Sequence, residues 1–165
     1  MPKKENEIFD KGLSALYQKR NDDFITAVGR LNDLNFKDKD GRSMVFYAVL
    51  EKNLHALKLL IEKGADIILF DKQGWTPLHY AVNEHDEEIS KILLGAGAEP
   101  NAKDKHGNTV IWRAVFASKG RGELIALLRE YGADPSIPND SGISAIKLAK
   151  TIANYDVTQF FQEED

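Results

Sequence analysis

Side chains that do acid–base or metal chemistry are few in this sequence, and their spacing does not form a site. The four histidines are His55, His79, His85 and His106, and no two of them are spaced as a metal-ligand pair. Cysteine is absent, which excludes thiol nucleophiles, disulfides and Cys-ligated zinc. The Gly-x-Ser-x-Gly and phosphate-loop patterns are absent as well. The sequence therefore predicts a protein that is not an enzyme, with no catalytic residues, no metal and no cofactor.

Two short segments contain residue types that are used in functional sites. Glu84–Glu88 reads Glu-His-Asp-Glu-Glu and has the carboxylates of a metal site. Acidic residues are also favoured in the first turn of a helix, so we expect an inter-helix turn there instead. Gly120-Arg-Gly122 contains glycines, but it follows no predicted strand, as a nucleotide-binding loop would. Neither segment is predicted to bind a metal or a nucleotide.

Composition restricts the class of protein. The chain has 165 residues, of which 42% are hydrophobic and 29% charged, as in ordinary water-soluble domains. No apolar run approaches the roughly 18 residues of a membrane-spanning helix, and the first residues lack the apolar segment of a secretory signal. A net charge of −4 disfavours binding to nucleic acid or anionic lipid. We therefore expect a cytoplasmic protein with no nucleic-acid, membrane or small-molecule ligand.

Four copies of one short pattern organise the chain. The pattern is Asp or Asn, two residues, then a glycine, and the copies end at Gly41, Gly74, Gly107 and Gly142. The first three glycines are evenly spaced and the fourth follows after a slightly longer interval, with an alanine seven residues after each of them. A Gly-Ala-Asp or Gly-Ala-Glu group then follows each of the first three copies. Several landmarks in one register indicate an internal structural repeat.

Each repeat is predicted to contain a turn followed by two helices. Asp-x-x-Gly is typical of tight turns, because Asp accepts hydrogen bonds from its own downstream backbone and glycine adopts positive φ. A Ser or Thr two residues after each glycine is a suitable N-cap: Ser43, Thr76, Thr109 and Ser144. Apolar residues then recur at helical spacing, and the glycine of the Gly-Ala-Asp group is a C-cap signal. One such unit cannot bury its apolar face alone, so we expect neighbouring units to stack.

A 33-residue period with two helices, a glycine turn and the string Thr76-Pro-Leu-His79 resembles the ankyrin repeat. The resemblance covers about residues 5–162. It implies an all-α solenoid of stacked helix pairs with β-hairpin or turn tips, in about five units. The full string occurs once, and residues 43–46, 109–112 and 144–147 depart from it. The family pattern also implies that His79 makes hydrogen bonds that brace the turn.

The same register gives domain boundaries within a single domain, residues 1–165. We expect an N-terminal capping helix pair at 5–36, repeats at 37–69, 70–102 and 103–137, and a C-terminal repeat or cap at 138–165. The first unit lacks a glycine turn. In the last unit, Phe160-Phe161 stand at the position that the aliphatic pair Leu59-Leu60 has in the first repeat. These features predict a free-standing array that is closed at both ends.

The third of these repeats is two residues longer than the others. The extra residues fall in Ser118–Gly122, which we expect to be a flexible, basic inter-helix turn. Ordinary variation in loop length explains it, and a contact loop for an acidic partner is the alternative.

The resemblance implies protein–protein recognition through the tips and the concave face of the inner helices. Ile68 stands where the other connections have Asn35, Asn101 and Ser136, and Phe70 stands where they have Lys37, Lys103 and Pro138. Trp75 follows the glycine of the same tip. We expect Ile68, Phe70 and Trp75 to form an exposed apolar patch, since such patches mark interaction sites. The alternative is that Phe70 and Trp75 pack across the hairpin onto neighbouring tips.

The complete set of predicted partner-binding residues adds neighbouring tips and the ends of inner helices. It comprises Arg42, Ile68, Phe70, Lys72, Gln73, Trp75, Asn83, Glu84, Lys105, His106, Asn108 and Phe116. Lys39, Lys72 and Lys105 recur with the period of the repeat, but an aspartate precedes each of them, which disfavours a phosphate-binding role.

The predicted function is that of a non-enzymatic module that binds one protein partner. The chain is similar to short, solitary bacterial ankyrin proteins, some of which are immunity proteins that neutralise a toxin domain. An acidic inhibitor of a basic toxin would suit the charge of −4. The alternative is a general adaptor or scaffold, or a regulatory subunit of a cytosolic complex.

Overall fold

The computed structural model describes residues 3–152 and 156–161, whose helices lie in two compact units, Met1–Lys72 and Gln73–Asp165. The first unit contains α1 (Lys3–Tyr17), α2 (Asn21–Val28), α3 (Met44–Leu50) and α4 (Leu54–Glu62). The second contains α5 (Pro77–Asn83), α6 (Glu87–Gly95), α7 (Val110–Ala117), α8 (Glu123–Glu130), α9 (Ala145–Thr151) and a 3₁₀ helix (Thr158–Phe161). The predicted all-α repeat fold is confirmed. The end of the predicted C-terminal unit, residues 162–165, lies outside the described residues.

Helices pack in two layers inside each unit. The first helix of each pair contacts the first helix of the next pair, as α1 with α3 and α5 with α7, and α7 in turn contacts α9. The second helices contact each other in the same way, α2 with α4 and α6 with α8. The alanines of the repeat are buried in the inner helices: Ala15, Ala48, Ala81, Ala114 and Ala149. A small residue at this position lets the inner helices within one unit approach closely, as α1 and α3 do in the first and α5, α7 and α9 in the second.

The predicted N-caps begin the inner helices. Ser43, Thr76, Thr109 and Ser144 each precede the first residue of a helix. Pro77 occupies the first helical position, where its missing N–H is not needed. His79 is buried, and its Nδ1 accepts a hydrogen bond from the Thr76 N–H at 3.1 Å. The structural role implied for His79 is therefore confirmed.

The tips are tight turns. In the described residues, the only β-bridge is an isolated antiparallel one between Lys103 and Thr109. The turns close with backbone hydrogen bonds, as from the Asp38 N–H to the Arg42 carbonyl at 3.0 Å. Of the two forms that the resemblance allowed, turn tips are therefore the one adopted.

Each turn between paired helices contains a non-glycine residue with positive φ, which the sequence did not predict. Lys19, Lys52, His85 and Lys119 all have positive φ, between 50° and 54°, and the first three recur with the period of the repeat. The residue after Lys52 and the residue after His85, Asn53 and Asp86, cap the outer helices with their side chains. The acidic cluster at Glu84–Glu88 is thus the predicted inter-helix turn, with Asp86 as an N-cap.

The Ser118–Gly122 turn is better packed than predicted. Ser118 is fully buried and its hydroxyl accepts a hydrogen bond from the Gly120 N–H at 3.3 Å. The ring of Phe160 lies directly over Gly122, leaving no space for a Cβ atom there. Both ends of the turn are therefore packed, while Lys119 and Arg121 between them are exposed.

Glycine at the tips meets a second constraint besides its positive φ. Gly74 has φ of 76°, and a Cβ built on it would lie 2.6 Å from the Lys105 backbone nitrogen. Gly142 has φ of 72°, but apart from its own chain neighbours no atom of the described residues lies within 4 Å of its Cβ position. A side chain at Gly142 would therefore meet only the strain of positive φ, whereas a side chain at Gly74 would also clash with the neighbouring tip.

We expect Gly74→Ala to destabilise the protein more than Gly142→Ala. Both variants carry the left-handed strain of about 1 kcal/mol, and Gly74→Ala adds a backbone clash of about 1–3 kcal/mol. Urea unfolding followed by circular dichroism measures the difference. Equal losses for the two variants would show that the close approach of neighbouring tips does not matter.

Candidate functional site

One side-chain oxygen braces each of three tips. Oδ1 of Asp38 accepts hydrogen bonds from the backbone N–H groups of Asp40 and Arg42, at 2.8 and 3.0 Å. Oδ1 of Asp104 does the same for His106 and Asn108, and Oδ1 of Asn139 does so for Ser141 and Ile143. The tip backbone is thus fixed before any partner binds.

Neighbouring tips within a unit are linked by one backbone hydrogen bond each. The Lys72 N–H donates to the Asp40 carbonyl at 3.0 Å in the first unit. In the second, the Lys105 N–H donates to the Gln73 carbonyl at 3.0 Å and the Asp140 N–H to the His106 carbonyl at 3.1 Å. These bonds hold the backbone of the tips and leave the side chains of Lys72 and Lys105 exposed.

A groove of about 390 Å³ lies between tip and inner helices of the second unit. It is lined by Gln73, Trp75, Tyr80, Asp104, Lys105, His106 and Arg113. Trp75 forms the apolar part of the groove together with Tyr80, whose ring centroid is 4.8 Å away. We call this set of seven residues the tip groove.

Arg113 fixes the aromatic side of the tip groove. Its guanidinium lies 4.6 Å from the ring centroid of Trp75 and 5.3 Å from that of Phe116. It also lies 5.6 Å from the ring of Trp112, which stacks on Phe116 with 5.5 Å between centroids. Cation–π contacts of this kind each contribute about 0.5–2 kcal/mol. The indole of Trp75 is therefore held in one position.

Asp104 is the buried anion of the groove. Besides the two backbone N–H groups, its carboxylate accepts a hydrogen bond from Asn108 Nδ2 at 3.1 Å and lies 3.5 Å from Arg113 Nη2. Burial by itself raises the pKa of Asp104, but the hydrogen bonds from Asn108 and from the backbone N–H of His106 outweigh it and lower the pKa. Asp104 is thus a structural carboxylate whose charge is already matched by its own donors.

Two predicted partner-binding residues are less exposed than expected. Asn108 is only 6% exposed, because its amide binds Asp104 and its Oδ1 accepts from Asn139 Nδ2 at 2.7 Å. The prediction that Asn108 faces solvent is therefore wrong. Trp75 is half-buried against Tyr80 and Arg113, so it forms a wall of the groove instead of a freely exposed patch.

Ile68 and Phe70 of the first unit are exposed as predicted, at 55% and 62%. The Lys37 ammonium lies 5.2 Å from the Phe70 ring centroid and donates to the Phe70 carbonyl at 3.2 Å. The side chains of Ile and Phe have no hydrogen-bonding group, so neither of them can form a polar link to a neighbouring connection.

The polar residues at the corresponding positions do make links between successive connections. Asn35 Oδ1 accepts from the Asp66 N–H at 2.7 Å, and Asn101 Oδ1 accepts from the Asp134 N–H at 2.8 Å. Lys103 donates to the Pro138 carbonyl at 3.1 Å, as Lys37 does to Phe70. Ile68 replaces the linking asparagine and Phe70 replaces the linking lysine. Hydrogen bonding between connections therefore does not explain why these two residues are apolar.

A comparison with known protein families finds the same repeat. A family model described as ankyrin repeats, in three copies, matches residues 13–104, which is more than half of the chain. The chain belongs to the ankyrin repeat family. No curated protein matches it. Ankyrin repeats are protein–protein interaction modules, which agrees with the coarse function expected from the sequence.

Other predicted binding residues of this ankyrin repeat protein are dispersed. Gln73, Lys105 and His106 line the tip groove, and Lys105 Nζ donates to Gln73 Oε1. Phe116 is 54% exposed at the end of α7, beside Arg113. Asn83 and Glu84 lie at the end of α5, where the Asn83 amide donates to Glu84 at 3.2 Å. In the first unit, Lys72 is exposed, and Arg42 is half-buried with its Nε 3.4 Å from Asp71.

Sequence reasoning missed Tyr80, Asp104 and Arg113 as groove residues. Tyr47, Tyr80 and Arg113 recur with the period of the repeat, so the ankyrin register already placed them at one position of the inner helix. Tyr47 donates to Asp38 and Arg113 contacts Asp104, so this position touches the tip carboxylate in both units. Comparing residues at this position would have found Arg113.

Two kinds of feature are absent from residues 3–152 and 156–161. No group of three or more His, Cys, Asp or Glu side chains there is placed to hold a metal ion. No described helix is long and apolar enough to cross a membrane.

We expect Asp104→Asn to reduce stability at pH 7 by about 1–3 kcal/mol, since hydrogen bonds to a charged acceptor are lost. Because folding lowers the pKa of Asp104, its stabilising effect is complete above the unfolded pKa of about 3.9 and is lost as the pH falls through the folded value. The difference between variant and wild type should therefore shrink below about pH 4.

Urea unfolding at pH 7, 5, 4 and 3 measures this difference. Asp10→Asn, at an exposed position of α1, is the control for removing one negative charge. A difference that stays constant down to pH 3 would contradict the assignment of Asp104 as a structural carboxylate.

Proposed function

We propose that this ankyrin repeat protein is a non-enzymatic, cytoplasmic binding protein that holds a protein partner in the tip groove. The observation that carries the proposal is the arrangement of Trp75, Tyr80 and Arg113 around an open groove at the tips. Tryptophan, tyrosine and arginine are the residues most enriched at energetically dominant positions of protein interfaces. Here all three converge on one concave surface.

Preorganisation supports the same proposal. The backbone of the tip is braced by Asp104, and the Trp75 indole is fixed by the guanidinium of Arg113. A partner that docks on these groups does not have to order them, so little conformational entropy is lost on binding. Phe116, exposed beside Arg113, would extend the contact along the inner helix α7.

Ile68 and Phe70 form a second candidate contact surface on the first unit. Both side chains are more than half exposed, and the linking residues of the other connections are absent at their positions. Burying two such side chains against a partner would contribute about 1.5–3 kcal/mol each. We propose that they bind an apolar part of a partner.

The biological role is proposed in two forms. An immunity protein that neutralises a cognate toxin domain is supported by the net charge of −4, which suits a basic toxin. An adaptor, scaffold or regulatory subunit is the alternative. A toxin-domain gene next to this gene would favour the first form, and a metabolic or regulatory operon would favour the second.

The test compares capture of proteins from the source cells by three variants. We expect Trp75→Ala and Phe116→Ser to lose a partner that wild type retains, because Trp75 lines the tip groove and Phe116 is exposed next to its residue Arg113. Tyr131→Ala, which removes a 36% exposed aromatic residue just after α8, should retain it. Circular dichroism and urea unfolding establish that each variant is folded.

Phe116→Ser separates binding from folding, since the side chain is largely exposed. If folded Trp75→Ala and Phe116→Ser proteins capture the same partner as wild type with unchanged affinity, the tip groove is not the binding site. Loss of the partner from Ile68→Ser or Phe70→Ser alone would place the contact on the first unit instead.

A further inference from the structure

The charges of the tip groove differ in sign from the charge of the whole chain. Lys105 and Arg113 provide two permanent positive charges, and His106 is an exposed imidazole beside them. Among the described residues that line the groove, Asp104 is the one acidic residue. The chain as a whole carries −4, so the cations of the groove are a local excess.

The anion of the groove is not available to a ligand. Asp104 is 6% exposed and its carboxylate is bound by Asn108, by two backbone N–H groups and by Arg113. Asp140 of the next tip lies against Gly107 and does not line the groove. An approaching ligand therefore meets Lys105 and the guanidinium of Arg113, which lies against the rings of Trp75 and Phe116.

Arg113 keeps hydrogen-bonding capacity in this arrangement. Its contact with Asp104 is long, at 3.5 Å, and its Nε is buried, with no hydrogen-bond partner among the described residues. The guanidinium carbon lies 4.6 Å from the Trp75 ring centroid, and this cation–π contact involves no hydrogen-bond acceptor. Because Arg113 lines the groove together with Lys105, a carboxylate that enters the groove would meet both cations.

We propose that the tip groove recognises an acidic segment of the partner protein, in which a carboxylate side chain neighbours an apolar or aromatic one. The carboxylate binds Lys105 and Arg113, and the apolar neighbour packs on Trp75 and Tyr80. This inference rests on the proposed function and assigns the chemistry of the partner at that site. Complementary charge also predicts fast association that weakens as salt increases.

The experiment selects phage-displayed random 12-residue peptides on the immobilised full-length protein. We expect enriched peptides to contain Asp or Glu next to Phe, Trp or Leu. A synthetic peptide of the selected sequence should bind about tenfold more weakly when its carboxylates are replaced by the isosteric amides, and its Kd should rise with salt concentration.

Two protein variants provide a matched comparison. Lys105→Glu reverses a charge of the groove and should weaken the selected peptide about tenfold or more. Lys91→Glu makes the same charge change at an exposed position of the outer helix α6 and should leave the affinity unchanged.

The outcomes separate this inference from the function on which it rests. Enrichment of neutral or basic peptides whose binding needs Trp75 would overturn the acidic chemistry and leave the groove as a binding site. Enrichment of no peptide that depends on Trp75 would overturn both. Tighter binding of a fluorescent 12-nucleotide RNA than of any selected peptide, lost in Lys105→Glu, would assign the cations to nucleic acid and overturn the proposal.

Discussion

The hydrogen bonds from one side-chain oxygen to two backbone N–H groups hold each of three tips, and much of the remaining structure follows from them. Asp38, Asp104 and Asn139 each close a turn in this way. The turn delivers the N-cap residue to the start of the inner helix, and in two repeats the inner helix returns a contact to the same carboxylate, from Tyr47 or Arg113. Turn, helix start and inner face are therefore fixed together.

The same bracing explains how a repeat array can form a specific surface. Backbone hydrogen bonds link neighbouring tips within each unit, so side chains of successive repeats are kept at a constant spacing there. Side chains of the tips, such as the groove wall Trp75 and the exposed Lys105, are then presented on a braced backbone. Rigid frames reduce the entropy lost on binding, which is the usual advantage of repeat proteins as binding surfaces.

Three residues differ in type from the residues at the same position of other repeats, and the stacking of the repeats does not require them. Asn35 and Asn101 link successive connections, and Ile68 at the same position cannot. Arg113 stands where Tyr47 and Tyr80 stand in the other repeats and brings a positive charge to an aromatic surface. Trp112 occupies the place of the buried His79, and its Nε1 has no hydrogen-bond partner in the part of the chain that the structure describes. Two of these three departures, Trp112 and Arg113, are adjacent in the second unit.

The sequence by itself determined the period, the paired helices, their N-caps and the turns, because these depend on local hydrogen bonding and on the spacing of apolar residues. It also placed Ile68 and Phe70 correctly at the surface, whereas it left open whether Phe116 is exposed or in the core. Only the tertiary structure decided that Asn108 is buried and that Trp75 is a groove wall, because both outcomes depend on residues of the following repeat, Asn139 and Arg113. A side chain's exposure is set by the repeat that packs against it, and a single repeat does not contain that information.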